Sequence, residues 1–262
     1  MTICIAGITE RSKIVAITDK MLTIGAPVTT KFEVSGNDKA IKISEKVVAL
    51  FAGDVIQANE ILTRAKVVID GKTDVREISE AVVGAYKEQY KFLVTEHLLS
   101  KFGITLDIFM ANHRNFDAEM VRNVTDTISK YNLDAIVIVA GIDTSPHIYQ
   151  IASPGVLSCY DSVGYACIGS GSQHAMFSLI ESEYSGDMEK AKSIYSLIEA
   201  KKRAEYDPGV GQLCDLVIID SEVKKIPTEK INLSMKKYNS HAKRIRKTKE
   251  KNADIMLKEL DI

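Results

Sequence analysis

No run of 18 or more apolar residues occurs in this 262-residue chain, and no charged segment leads into an apolar stretch with a small-residue cleavage site. A membrane-spanning helix and a secretory leader are therefore not expected, and the expected address is the cytoplasm. Cysteine is scarce. Cys4, Cys159, Cys167 and Cys214 form no C-x-x-C pair and have no histidine at zinc-ligand spacing, so reduced thiols are expected rather than a metal knot. His97, His113 and His147 make neither an HExxH nor a paired-histidine pattern, which argues against a metal site. Charge of one sign is not in excess either. The 34 Lys and Arg oppose 35 Asp and Glu, for a net charge of -1, which excludes a global attraction to nucleic acid or anionic membrane and leaves any basic surface local. No repeat at solenoid spacing is visible. Gly169-Ser170-Gly171-Ser172 lacks the Lys-Ser/Thr ending and long glycine spacing of a phosphate loop, so no nucleotide site is expected there.

What is present is a strand-rich first fifth. The β-favouring Ile3, Ile5, Ile8, Ile14, Val15 and Ile17 predict strands over 2–9 and 13–19 around the polar Glu10-Arg11-Ser12, and 39–43 and 46–52 repeat the arrangement around Ser44-Glu45. Asp54 and Asp74 then read as N-caps of two helices, the second running towards Leu99, because Val55, Ala58, Ile61, Leu62 and Ala65 recur at helical spacing, as do Ile78, Ala81, Val82 and Ala85. A helical insertion is expected at about 102–131, strands at about 134–141, 147–151 and 163–168, helices at about 172–185 and 187–203, and a closing strand at about 214–220. Runs of strands followed by paired helices imply an α+β layered domain with antiparallel sheets over 1–226. Residues 227–262 form a basic C-terminal tail whose lysines and arginines concentrate between Lys236 and Lys251. Its aromatic content is limited to Tyr238, so a solvated helix or tail is expected and nucleic acid is not an expected partner.

The chemistry of the first residues is more pointed. A threonine hydroxyl is a weak nucleophile until a base removes its proton. Removal of Met1 would give Thr2 a free α-amine, with a reference pKa of about 7.7–8.0, beside its own hydroxyl. A lysine held by a carboxylate would favour the deprotonated amine and the developing alkoxide. Thr2, Lys39 and Asp19 supply these parts.

The order of these signals resembles the proteasome β-subunit and HslV protease family of N-terminal-nucleophile hydrolases, over roughly residues 2–226. Thr2, Asp19, Lys39 and Ala52-Gly53 match the family's nucleophile, strand-ending aspartate, strand-opening lysine and Ala-Gly helix start. Gly169-Ser170-Gly171-Ser172-Gln173 and Asp207-Pro208-Gly209-Val210-Gly211 are similar to its Gly-Ser-Gly turn and its later aspartate loop. The resemblance implies a four-layer αββα sandwich of two antiparallel sheets. It also implies roles: Thr2 attacks, Asp19 orients Lys39, Gly53 donates its N–H to the oxyanion, and Ser170 and Asp207 hold the amine and its water. Thr23 matches a position that pairs with extended substrate, and Leu22, Phe51 and Val55 match the walls of the pocket before the cut bond. Only Met1 precedes Thr2, so methionine removal is the implied activation step.

The implied activity is threonine-type cleavage of peptide or other amide bonds in a peptide or protein substrate, without metal or organic cofactor. Self-association, as a homo-oligomer or ring, goes with it, while an ATPase partner is left open. Two alternatives stand beside this one: a silent assembly or scaffold subunit that keeps Met1, and an amidase or peptide-transferring enzyme with a specialised substrate.

Overall fold

A computed structural model describes residues 2–24 and 30–259. Two five-stranded sheets carry the site, and every strand pairing in them is antiparallel. The first is built on the hairpin β1 (Cys4–Thr9) and β2 (Lys13–Asp19). A small hairpin of β3 (Met21–Ile24) and β4 (Thr30–Glu33) follows, between the strands expected to end at Asp19 and to begin at Lys39. Next come β5 (Ala40–Lys42) and β6 (Val47–Gly53), which open the second sheet.

Asp54 caps α1 (Val55–Ile69) by accepting from the N–H groups of Ile56 and Gln57, and Asp74 caps α2 (Val75–Val94) through Glu77 N–H, so both expected caps are in place. Within 102–131 lie two helices, α3 (Leu106–Asn112) and α4 (Ala118–Lys130). The expected helical insertion is thus a pair of helices.

The remaining elements are β7 (Ala135–Ile142), β8 (Pro146–Ala152), β9 (Val156–Cys159), β10 (Tyr165–Ile168), α5 (Ser172–Glu181), α6 (Lys190–Ala204), β11 (Cys214–Ile219), β12 (Val223–Lys225) and α7 (Thr228–Glu259). The first sheet runs β10-β1-β2-β11-β12 and the second β5-β6-β7-β8-β9. No helix among the described residues is long and apolar enough to cross a membrane.

Period-2 alternation sorts the side chains into three cores. Cys4, Ala6 and Ile8 of β1, Ile14 and Ala16 of β2, and Val48, Leu50 and Ala52 of β6 share one core with residues of both sheets. The alternate set, Val47, Ala49 and Phe51, packs with Ala58, Ile61 and Leu62 of α1 and Ile78, Val82 and Tyr86 of α2. On the other side Ile5, Val15 and Ile17 pack with residues of α5 and α6 and with Ile231 and Met235 of α7. The basic C-terminal segment is thus a long helix whose first turns belong to a core. α2 and α7 cover opposite sheets.

Candidate active site

The register of the first sheet sets the site's position. Cys4 pairs with Thr18, and the N–H of Asp19 donates to the carbonyl of Ile3 at 3.0 Å, which holds Thr2 and Asp19 at the same end of the hairpin. Lys39 arrives from the other sheet, where its carbonyl accepts from Phe51 N–H at 3.2 Å just before β5 begins. Cys4 Sγ donates to the Phe51 carbonyl at 3.1 Å, tying the two sheets beside this point. The three residues proposed from sequence therefore meet from two sheets.

Their contacts are direct. Lys39 Nζ donates to Asp19 Oδ1 at 2.7 Å and to Thr2 Oγ1, while Thr2 Oγ1 in turn donates to Asp19 Oδ1. Thr2, Asp19 and Lys39 are 2%, 0% and 2% exposed, so this ion pair lies out of bulk water, where its field on the hydroxyl is far stronger than at a surface. Asp19 also accepts from the N–H groups of Ile3 at 3.1 Å, Met21 at 3.2 Å and Gly211 at 3.0 Å.

Beside Thr2 opens a cleft of about 390 Å³ lined by Ala52, Gly53, Asp134, Ile136, Gln150, Cys167, Ile168, Gly169, Ser170 and Ser172. Gly53 and Ser170 are thus brought to the same cavity as the hydroxyl. Gly53 has φ +98°, and a Cβ there would collide with the Asp134 carbonyl, so this position on the cleft wall is one that only glycine fills without strain. Gly169 has φ +102° and lies against the Thr2 carbonyl, which also accepts from Gly171 N–H at 3.2 Å. The cleft offers one other nucleophile type, the Cys167 thiol. Burial pushes it up to about 12, which keeps it protonated and unreactive at neutral pH.

The other site expectations are met less directly. Asp207 accepts from Gly209 N–H at 2.6 Å, and among the described residues no hydrogen bond joins Ser170 or Asp207 to Thr2. The Asp207 loop reaches the site through Gly211 instead. Leu22, Phe51 and Val55 lie outside the lining of the cleft. Alternation sends Phe51, 1% exposed, to the helix side of its sheet, where it fills the core under α1 and α2. Thr23 pairs with Lys31 in the β3–β4 hairpin, and its side chain lies outside the described residues. Sequence reasoning missed Gly169 and Gly211 as contacts of Thr2 and Asp19, and missed Asp134 and Gln150 in the cleft. The available signal was Gly169 directly before Ser170 for the first, and Gly211 closing the Asp207 loop for the second.

Known proteins add one finding. No curated protein matches the chain. The family model described as "Proteasome subunit" matches residues 110–219, from within α3 to the end of β11, a stretch that holds Ser170 and Asp207 but none of Thr2, Asp19, Lys39 and Gly53. The chain is therefore similar to the proteasome subunit family over residues 110–219, in accord with the resemblance that the residues of its other half carry independently.

Proposed function

We propose that the chain is an N-terminal-threonine hydrolase that cleaves peptide or other amide bonds once Met1 has been removed. One observation carries this reading: Thr2 Oγ1, Lys39 Nζ and Asp19 Oδ1 are mutually hydrogen-bonded and buried at the edge of an open cleft. The three cores support the four-layer αββα arrangement that goes with such an enzyme.

In the proposed reaction the Thr2 hydroxyl oxygen attacks the substrate carbonyl carbon while its proton passes to the freed Thr2 amine. The Lys39 ammonium, positioned by its hydrogen bond to Asp19, lowers the energy of the developing alkoxide. The N–H of Gly53 donates to the oxyanion, a position where a preorganised donor contributes about 10²–10³ in rate. The C–N bond then breaks, the amine-borne proton leaves with the departing amine, and an ester on Thr2 remains. Water, deprotonated by the same amine and positioned by Ser170 and Asp207, hydrolyses that ester and restores the hydroxyl. While Met1 is present the Thr2 nitrogen is an amide and cannot act as the base.

The site is proposed to work within a homo-oligomer, and the exposed apolar side chains Met176, Phe177 and Ile180 on α5 suit a buried position in such an assembly. Light scattering on the purified chain tests that part separately.

The test of the activity is adduct mapping. Protein released from a cleavable fusion so that Thr2 is the first residue is treated with a threonine-directed electrophile, and the modified peptide is sequenced by mass spectrometry. The expected result is one adduct on Thr2, absent in Thr2→Ala and absent in protein that retains Met1. An adduct elsewhere, or none on the Thr2-first protein, overturns the hydrolase reading in favour of an assembly subunit.

A further inference from the structure

The C-terminal segment holds more order than its composition suggested. Of the chain's 34 Lys and Arg, ten fall in residues 228–262, against five of its 35 Asp and Glu, so this segment is positive by about five and the rest of the chain negative by about six. In the structure this charge is not spread around a mobile tail. α7 is docked on one side: Ile231 and Met235 are buried, the Tyr238 ring meets Tyr195 of α6 at 5.6 Å, and the Tyr195 hydroxyl bonds His241 at 2.7 Å.

At about 100° per residue, Ile231, Met235, Tyr238 and Ala242 fall on one arc of the helix, the docked one, which Ile245, itself exposed, continues beyond the core. Lys236, Lys237, Lys243, Arg244, Lys247 and Lys251 fall on an arc about 120° wide on the opposite side. All six are exposed, and none makes an ion pair among the described residues. From 236 to 251 that outer arc contains no carboxylate; the remaining residue on it is Ser240. The other cations of this stretch differ, because Arg246 on a flank pairs with Glu250, and Lys249, on the same side as Ile231, stands in the field of Glu181. The result is a band of unpaired cations about 22 Å long on the side of the helix away from the docked Ile231, Met235 and Tyr238.

We propose that the outer face of α7 binds the phosphate backbone of duplex DNA. Three features select this partner. Protein interfaces are depleted in lysine and need an apolar centre, which this arc lacks. A helix lying on a membrane needs a continuous apolar side free, and here that side is packed in the core from Ile231 to Tyr238 and is interrupted by Lys249 beyond Ile245. Single strands are gripped by aromatic stacking, and the arc carries no aromatic ring. Backbone neutralisation needs only a row of cations, and the acidic remainder of the chain orients a polyanion towards α7.

The test is fluorescence anisotropy of a labelled 20-base-pair duplex titrated with the full chain at several KCl concentrations. Six phosphate contacts predict a loss of about 10³ in affinity between 50 and 200 mM salt. The variant Lys243→Gln/Arg244→Gln/Lys247→Gln/Lys251→Gln is expected to shrink that loss to about 10-fold and to bind at least about 10-fold more weakly at 50 mM. An equal charge change on the opposite side, Lys66→Gln/Arg76→Gln/Lys87→Gln/Lys91→Gln, is expected to leave binding within about twofold if the α7 arc is the site. Circular dichroism verifies that both variants keep their helix. The proposal is overturned by no saturable binding at 50 mM salt, by equal weakening in the two variants, or by single-stranded DNA, polyglutamate or anionic vesicles binding as tightly as the duplex.

Discussion

The backbone N–H of Gly211 donates to Oδ2 of Asp19 at 3.0 Å, joining residues 192 positions apart. The same carboxylate accepts from Ile3 and Met21 N–H, from Lys39 Nζ and from the Thr2 hydroxyl. Asp19 therefore fastens four stretches of chain: the first strand, the start of β3, the lead into β5 and the Asp207–Gly211 loop. Hydrogen bonds to a charged acceptor are each worth about 1.5–3 kcal/mol, so the residue that orients the lysine also holds the site's backbone together. The family match covers the Gly211 end of this bond and not the Asp19 end, and the bond connects the two halves physically.

Gly169→Ala tests how Thr2 is held. A methyl group at φ +102° would run into the Thr2 carbonyl, which the Gly171 N–H holds by a hydrogen bond at 3.2 Å. The expected outcome is a loss of at least about 2 kcal/mol of stability, from backbone strain and the clash. The Thr2 adduct should also form at least about 10-fold more slowly, because a displaced nucleophile leaves attack geometry. Urea unfolding and the adduct-formation rate measure the two effects, and a wild-type rate would show that this turn does not position Thr2.

Acid should weaken the β7–β8 end of the fold through Asp143. Burial alone would raise its carboxyl, but the N–H groups of Val75, Thr144 and Ser145, with His147 nearby, outweigh that and push it down to about 2. A depressed native pKa gives stability that is fully present above the unfolded value near 3.9 and is lost as pH falls through about 2. The size is roughly 2 kcal/mol. Asp143→Asn should lower the urea midpoint at pH 7 and flatten its decline between pH 4 and 2. An unchanged acid limb in that variant would assign the loss to other carboxylates.

Much of this was legible in the chain and some was not, for physical reasons. Thr2, Asp19 and Lys39 could be read because their chemistry is specific and their positions follow strand ends, where alternation is strong. Asp54 and Asp74 were readable because an N-cap is a local bond between a side chain and the next turn. The β3–β4 hairpin was missed, since its strands are four residues each and carry little alternation. Phe51 was misplaced on the pocket wall because family position says nothing of which sheet face a side chain takes, whereas the packing of Val47, Ala49 and Phe51 fixes it. The one-sidedness of α7 needed the docking of Ile231, Met235 and Tyr238, a tertiary fact.

That docking makes a prediction of its own. If residues after Pro227 were only a tail, Met235→Ala would be silent. With Met235 8% exposed in the core shared by the first sheet and α6, the substitution should cost about 2–4 kcal/mol, and Ile231→Ala, at 3% exposed, a similar amount. Lys236→Ala, exposed on the adjacent turn, should stay within about 0.5 kcal/mol. Equal, small effects at all three positions would separate α7 from the domain.

The Lys39–Asp19 pair allows stability and chemistry to be told apart, because its two members are not equivalent when removed. Taking one partner from a buried pair leaves an uncompensated charge and typically costs about 3–5 kcal/mol. Asp19→Ala should reach or exceed that range, since it strands the Lys39 ammonium and also deprives the Ile3, Met21 and Gly211 N–H groups of their acceptor. Lys39→Met should cost less, because the carboxylate left behind still accepts from those three N–H groups and from Thr2, which go far towards solvating its charge. Both variants should nevertheless lose the Thr2 adduct alike, as the hydroxyl in each lacks a properly held cation. Urea midpoints that rank Asp19→Ala well below Lys39→Met, with adduct formation equally absent, are the expected pattern. Equal stability losses would mean that the three backbone bonds to Asp19 contribute little, and an adduct surviving in Lys39→Met would remove the lysine from the proposed chemistry.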